Sequence, residues 1–403
     1  MTELDLAPTL AAEQSARPLW EPEHDELRTT ARRFVAEQLA PHVEQWEAAL
    51  DFPREVFEQV GAAGWFGLKH GPQWGGSGPD LRAQAVWVDA LARCGSGGLA
   101  ADLGAHSDLA MLYLDRFGTD EQKARWLEPS LRGALLGALA ITEPGTGSDV
   151  AAVSTRARRD GDDWVLDGAK AYCTNGAWSD WVVVAARTDP DDPHGGLTLF
   201  VVEADDAGLT RRRMSMLGWR LSHTGELAFD ALRLPDDRRL GDVGGAFLAI
   251  MRNFAWERIC MSIGAVAAAE VGLDMAIGWA RQREAFGRPI ATFQTWRHRF
   301  AVLATRIAAG RAITEQALRL HIAAEEDGDD IDPREVLRVT AMAKLLTQRL
   351  AFDVADDCVQ VHGGAGYMME YPAQRLWRDA RLGPIGGGTE DIMREIIGKA
   401  SGW

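Results

Sequence analysis

Asp180–Arg187 reads DWVVVAAR, a run of Val and Ala in a chain whose texture is otherwise mostly helical. Three similar runs lie around it: WVLDG (Trp164–Gly168), LTLFVVEA (Leu197–Ala204) and ELAFDALRL (Glu226–Leu234). Clusters of Gly, Asp and Pro such as TDPDDPHGG separate them. Runs rich in Val, Leu, Phe and Trp between turn formers predict strands. A β domain is therefore expected over 139–236.

The flanks differ. On the N-terminal side Leu27, Ala31, Phe34 and Val35 share one helix face until Pro41 breaks the pattern. FPREVFEQVGAAGWFGL (Phe52–Leu68) reads as a short helix ending in glycines, with Asp51 as a candidate cap. This predicts a helical domain over 21–138, preceded by a flexible tail over 1–20. After GDVGG (Gly241–Gly245) the helical period returns, and no proline occurs from Ala246 to Phe286. As one helix that stretch would span roughly 60 Å at 1.5 Å per residue. Two more long helices are expected near Phe293–Glu326 and Pro333–His362, joined through GDDIDP. Long helices with short connections imply an antiparallel bundle over 237–403.

Composition narrows the function. The 403 residues are 46% hydrophobic and 25% charged, the balance of a folded chain of two or three domains. A formal net charge of −16 argues against a nucleic-acid partner. Cys94, Cys173, Cys260 and Cys358 form no CxxC pair, and the nine histidines show no HExxH spacing, so neither a disulfide framework nor a metal site is expected. The start, MTELDLAPTLAAEQ, has neither a basic segment nor an apolar core, and no apolar run reads as a membrane span. A cytoplasmic location is the expectation.

Several stretches offer chemistry. ITEPGTGSDV (Ile141–Val150) has hydroxyls, backbone N–H groups and glycines able to wrap a phosphate-bearing ligand, although an ordinary domain-crossing turn is the simpler reading of its spacing. In GAKAYCTNG (Gly168–Gly176) Tyr172 and Thr174 fall on one face at period two, fitting a flat ring or a half-buried β surface. RQREAFGRP (Arg281–Pro289) reads as a basic helix end or an anion site. QVHGGAGYMMEYP (Gln360–Pro372) reads as a helix C-cap or a close backbone approach to a ligand. PIGGGTEDIM (Pro384–Met393) holds three glycines, Gly386, Gly387 and Gly388, before a cap-type threonine, so something must come close to that backbone. Glu257 recurs at helical spacing with Ile250, Phe254, Met261 and Gly264, a carboxylate within an apolar stripe. It is either paired, with Arg258 or another helix, or a general base whose pKa burial raises.

Together these stretches resemble the acyl-CoA dehydrogenase family of flavoproteins. ALAITEPGTGSD, GAKAYCTNG, LGWRLSHTGELAFD, RQREAFGRPIATFQ, DCVQVHGGAGYMMEYP and RDARLGPIGGGT occur in family order, from about Glu21 to the C-terminus. The resemblance implies a mostly α, α+β fold: an N-terminal helical domain, a central β-barrel and a C-terminal four-helix bundle. It implies FAD, with Thr142, Gly147, Ser148, Tyr172 and Thr174 facing it from their own chain. Arg283, Phe286, Gln294, Gln360 and Gly364 would reach a neighbour's FAD, in a homotetramer or at least a dimer. Thr389 would cap the last helix beside the cofactor, and Asp391 stands at a cofactor-contact position where longer side chains are common.

The implied reaction removes the α-proton of an acyl-CoA to a glutamate while the β-hydride passes to flavin N5, with electrons leaving to an electron-transfer flavoprotein. Many members carry that glutamate in the loop, at the position of Gly387. The long-chain and isovaleryl types carry it on the bundle helix just before an arginine, and WERIC places Glu257 there. Gly387 then keeps only a backbone N–H for the thioester carbonyl, with Ser148, Arg258 and Gly388 among the substrate contacts. The acyl pocket is expected to involve Gly95–Met111 and the Glu257 helix, with Trp256 as packing. Alternatives are an acyl group on a carrier protein, an oxidase or monooxygenase, and, last, a non-catalytic acyl-thioester-binding protein.

Overall fold

The computed structural model describes residues 19–326 and 331–403. Of the tail expected over 1–20, residues 1–18 lie outside the described residues. Leu19 is buried and Trp20 packs beside it, so these two belong to the fold. The N-terminal unit comprises α1 (Pro22–Phe34), α2 (Val43–Ala49), α3 (Glu55–Ala62), α4 (Leu81–Leu91), α5 (Gly97–Gly104), α6 (Met111–Phe117), α7 (Asp120–Gln122) and α8 (Glu128–Leu131). Pro41 does interrupt α1's continuation, which widens into a π turn (Val35–Leu39) and then tightens into a 3-10 turn (Ala40–His42). Asp51 does not cap α3, which starts after Arg54 without a side-chain cap. Its carboxylate instead accepts from the backbone N–H of Phe52 and lies 2.7 Å from His223 Nε2.

The β region holds β1 (Gly137–Ala140), β2 (Arg156–Asp160), β3 (Asp163–Cys173), β4 (Trp181–Arg187), β5 (Leu197–Glu203), β6 (Leu209–Arg213), β7 (Gly225–Pro235) and β8 (Arg239–Leu240). Its strands thus start before residue 139 and end after 236. They form one mixed sheet in the order β6-β7-β3-β2-β4-β5-β8, with β1 parallel to β4. The end strands β6 and β8 do not pair, yet the sheet wraps. Trp164 on β3 and Phe200 on β5 lie three strand positions apart, roughly 14 Å in a flat sheet, but their rings meet at 5.3 Å. A common interior unites Trp164, Leu166, Val182, Val184, Phe200 and Phe229. The other faces of β4 and β5, including Trp181, Val183, Leu199 and Val201, pack into the core of the N-terminal helices. Burial on both faces is why DWVVVAAR has no polar alternation.

The bundle consists of α9 (Ala246–Gln282), α10 (Gln294–Glu326), α11 (Pro333–His362), α12 (Pro372–Ala380) and α13 (Glu390–Ala400), with a small hairpin of β9 (Glu284–Ala285) and β10 (Arg288–Pro289) after α9. By length and composition α9 is apolar enough to pass as a membrane span, against the sequence expectation. Its apolar character has another cause here. The helix is central, and Trp256, Ile259, Ala267, Ala276 and Ala280 are buried against α4, α10 and α11. Two buried carboxylates tie the three units together. Asp379 of α12 accepts from Gly97 N of α5 (2.9 Å) and Trp219 N of the β region (2.7 Å). Asp102 of α5 accepts from His223 N (2.9 Å) and lies 3.1 Å from His223 Nδ1.

Candidate active site

Glu257 lies in the fourth turn of α9, with the glycine turn 383–388 opposite it. Its side chain is half-buried and accepts no hydrogen bond among the described residues. Burial raises its pKa above the usual carboxylate range, and Arg258 and then Lys344 oppose that rise without cancelling it. A small opening to solvent and a strong desolvation coexist because protein surrounds the carboxylate on most sides. An unpaired, partly dehydrated carboxylate has the character of a base.

The glycines explain themselves against this group. Gly387 and Gly388 adopt left-handed φ of 62° and 100°, where side chains are disfavoured. A Cβ on Gly387 would stand 2.3 Å from Met261 Sδ and 3.4 Å from Glu257 Oε1. The loop position and the helix position therefore compete for one space, and in this chain the helix fills it. Arg258 is buried, and its Nε donates to Gly387 O at 3.2 Å while its guanidinium lies 5.3 Å from the Phe254 ring. It is thus committed to the turn, not to a free substrate-facing position. Trp256 is packing with one polar tie, its Nε1 donating to buried Asp108 at 2.9 Å.

A second cluster sits on the β region. Glu143 is buried and fully used: it accepts from Ser154 N (2.8 Å), Ser154 Oγ (2.6 Å), Thr155 N (2.8 Å) and Lys170 Nζ (2.8 Å). Lys170 also donates to Ile141 O at 2.9 Å, and Ala171 N donates to Thr142 O at 2.9 Å. These bonds pin the loop carrying Thr142, Gly147 and Ser148 to the end of β3. Period-two alternation does not hold there. The β3–β7 register shifts between Lys170 and Cys173, and Tyr172 takes a φ of 57°. Its ring is 65% exposed, and Thr174 lies in the turn after the strand. The hydroxyls of Thr142, Ser148 and Thr174 make no hydrogen bond among the described residues. The free hydroxyls and exposed ring suit a flat cofactor, and on the bundle the N-terminus of α13, capped by Thr389 Oγ1 accepting from Ile392 N at 3.3 Å, suits a phosphate. Asp391 lies in the first turn of α13, 91% exposed and paired with Arg394 at 2.8 Å.

The third group lies far from the first. Arg283 follows Glu257 by 26 positions along α9, about 39 Å at 1.5 Å per residue. Trp279 stacks on His362 at 4.6 Å and meets Tyr371 at 5.7 Å, so the ends of α9 and α11 are neighbours. Arg283, Phe286, Gln294, Gln360 and Gly364 all lie exposed at this end, beside the exposed Tyr367, Met368 and Met369. The sequence reading missed Glu143, Lys170, Lys344 and Gln348. The two lysines stand in apolar contexts, AKAY and MAKLL, and a cation there is the signal that could have found them.

The chain matches three family models in order: acyl-CoA dehydrogenase N-terminal domain (residues 21–134), middle domain (138–232) and C-terminal domain (245–402). It is 37% identical over 388 residues to the mitochondrial long-chain specific acyl-CoA dehydrogenase of Mus musculus, covering 95% of this chain and 87% of that protein. Among solved structures, an acyl-CoA dehydrogenase from Geobacillus kaustophilus is 35% identical with a TM-score of 0.89, over 95% of this chain and 99% of that one. A glutaryl-CoA dehydrogenase from Mycobacterium smegmatis in complex with FADH2 is 29% identical with a TM-score of 0.85, over 95% of each chain. With the fold and the sequence match in agreement, the chain belongs to the acyl-CoA dehydrogenase family of FAD-dependent oxidoreductases.

Proposed function

We propose that this chain oxidises an acyl-CoA to its trans-2-enoyl-CoA, with Glu257 as the α-proton base. The observation that carries the reading is the unpaired Glu257 carboxylate, whose Oε1 lies 3.4 Å from where a Cβ on Gly387 would stand. Burial makes the carboxylate a stronger base than a solvated one, which suits removal of a weakly acidic carbon-bound proton. Gly387 supplies no side chain, and its backbone N–H is the donor assigned to the thioester carbonyl, a preorganised electrostatic contact. Thr142, Ser148, Tyr172, Thr174 and Thr389 would hold FAD. FAD, when bound, supplies the acceptor for the β-hydride. Arg258 orients the turn through Gly387 O.

The exposed group at the end of α9 supports an oligomer of at least two copies, since those residues are too distant to serve their own chain's Glu257. The acceptor proposed for the reduced cofactor is an electron-transfer flavoprotein. The test is an anaerobic titration of the FAD-loaded protein with straight and branched acyl-CoAs, and with the same acyl groups on a carrier protein. Bleaching of the flavin band by a CoA ester supports the reading. Bleaching by the carrier-bound acyl group alone would transfer the activity to that substrate, and no bleaching by either would contradict dehydrogenation.

A further inference from the structure

The glycine turn is gripped from α11 by two residues one helical turn apart. Lys344 is 1% exposed, and its ammonium donates to Gly383 O at 2.9 Å and, more closely, to Gly388 O. Gln348 Nε2 donates to Met261 O of α9 at 2.7 Å, and its Oε1 fills the space a Cβ on Gly383 would need. Arg258 holds the carbonyl between them, Gly387 O, from the α9 side. Three carbonyls of one short turn thus face interior cations. Because each peptide is planar with its N–H opposite its C=O, directing the Gly387 and Gly388 carbonyls toward cations fixes the N–H groups of Gly388 and Thr389 directly. The Gly387 N–H belongs to the preceding peptide and is held only through the turn between the gripped carbonyls. Glycines supply no restraint of their own at φ of 62° and 100°.

A neutral donor would hold a carbonyl at a lower desolvation cost than a buried ammonium. The charge therefore calls for a use, and Glu257 lies within its field. We propose that Lys344 is a positioning residue for the dehydrogenation: with Arg258 and Gln348 it clamps the Gly383–Gly388 turn so that its N–H groups meet the thioester, and its charge supports the Glu257 carboxylate. This rests on the reading of Glu257 as the base. The charged groups facing Lys344 are Arg258 and Glu257 from α9 and Glu390 from α13. Burial and then Arg258 push Lys344 down to about 8, against the two acids, so it is still charged at neutral pH. Glu390 in turn has Arg349 at 3.8 Å and Arg394 at 2.7 Å.

The test uses FAD-loaded Lys344→Met and Lys344→Arg with the acyl-CoA that best bleaches the wild type. Removing a positive charge beside a carboxylate raises its pKa, so Lys344→Met should move the acid limb of kcat/KM upward by about one pH unit. Loss of the clamp should lower kcat about 10–100-fold. Lys344→Arg, which keeps the charge, should return the limb toward the wild-type position. If Lys344→Met loses FAD, Lys344→Gln is read in its place, since it keeps donors for the carbonyls and lacks the charge; the same upward limb shift is expected. A loaded Met or Gln variant with the wild-type limb and kcat overturns the proposal. Glu257→Gln is assayed beside them. A wild-type rate there overturns the base assignment and this proposal with it, whereas an inactive Glu257→Gln beside unshifted Lys344 variants overturns the clamp alone.

Discussion

A side chain at Gly387 would enter the space held by Met261 and Glu257, and this fixes what substitution there must do. In Gly387→Ala the methyl group must displace the flexible end of Met261, and the left-handed backbone adds a cost of about 1–2 kcal/mol. The variant should fold and keep FAD, while kcat falls about 10–100-fold because the base is nudged from its line of approach. Steady-state kinetics on protein of matched flavin content checks this. The carboxylate itself predicts a pH profile. Burial raises the Glu257 pKa, and a base works deprotonated, so kcat/KM should climb with pH through a limb above the usual carboxylate value of about 4.5. At this scale the helical period marked Glu257, because a charge in an apolar stripe stands out, while its pairing with Gly387 came from the family resemblance. The sequence did not disclose that Asp51 leaves α3 uncapped and turns to His223, since that partner is 172 positions away.

The loop that begins at Ile141 depends on one buried ion pair. Burial pushes Glu143 upward, but Lys170 and the donors of Ser154 and Thr155 outweigh it and leave the carboxyl at about 2. For Lys170 burial prevails over the same attraction and lowers it to about 8. The two shifts pull differently on the Lys170 charge, yet both leave the pair ionised at pH 7. Because the folded Glu143 pKa lies below its ordinary value, its contribution to stability is present above about pH 4.5 and is lost as pH falls through about 2. Lys170→Met strands the carboxylate without its cation, which should cost about 3–5 kcal/mol. The loop should then hold FAD less well. Thermal melting and flavin retention on gel filtration check both effects, and unchanged values would contradict this role. Helix and strand limits were largely legible, because proline, glycine and the 3.6-residue period mark them locally. The bulge at Tyr172 was not, since a strand register is set by the partner strand β7 and not by the sequence of β3.

The wrapped sheet, the helices before it and the bundle after it meet at buried carboxylates contributed by different units. Their partners are distant in sequence, so the three-part plan could be read from texture while the joints could not. The about 39 Å between Glu257 and Arg283 carries a prediction at this scale. If each site takes its base from one copy and its Arg283-end contacts from another, Glu257→Gln and Phe286→Asp chains should each be poorly active alone. Co-expressed as a mixed oligomer, they should recover a share of wild-type activity, because one combination of copies supplies both intact halves. Failure of the mixture to exceed its parents, with mixed oligomers verified by mass, would contradict a shared site.

The most direct test is the rate of anaerobic flavin bleaching in Glu257→Gln against the wild type, at equal FAD content and with the same saturating acyl-CoA. An α-proton base predicts that the variant keeps its flavin spectrum and bleaches about 100–10,000-fold more slowly. Bleaching at the wild-type rate would show that another group takes the proton, and the assignment of Glu257 would fall.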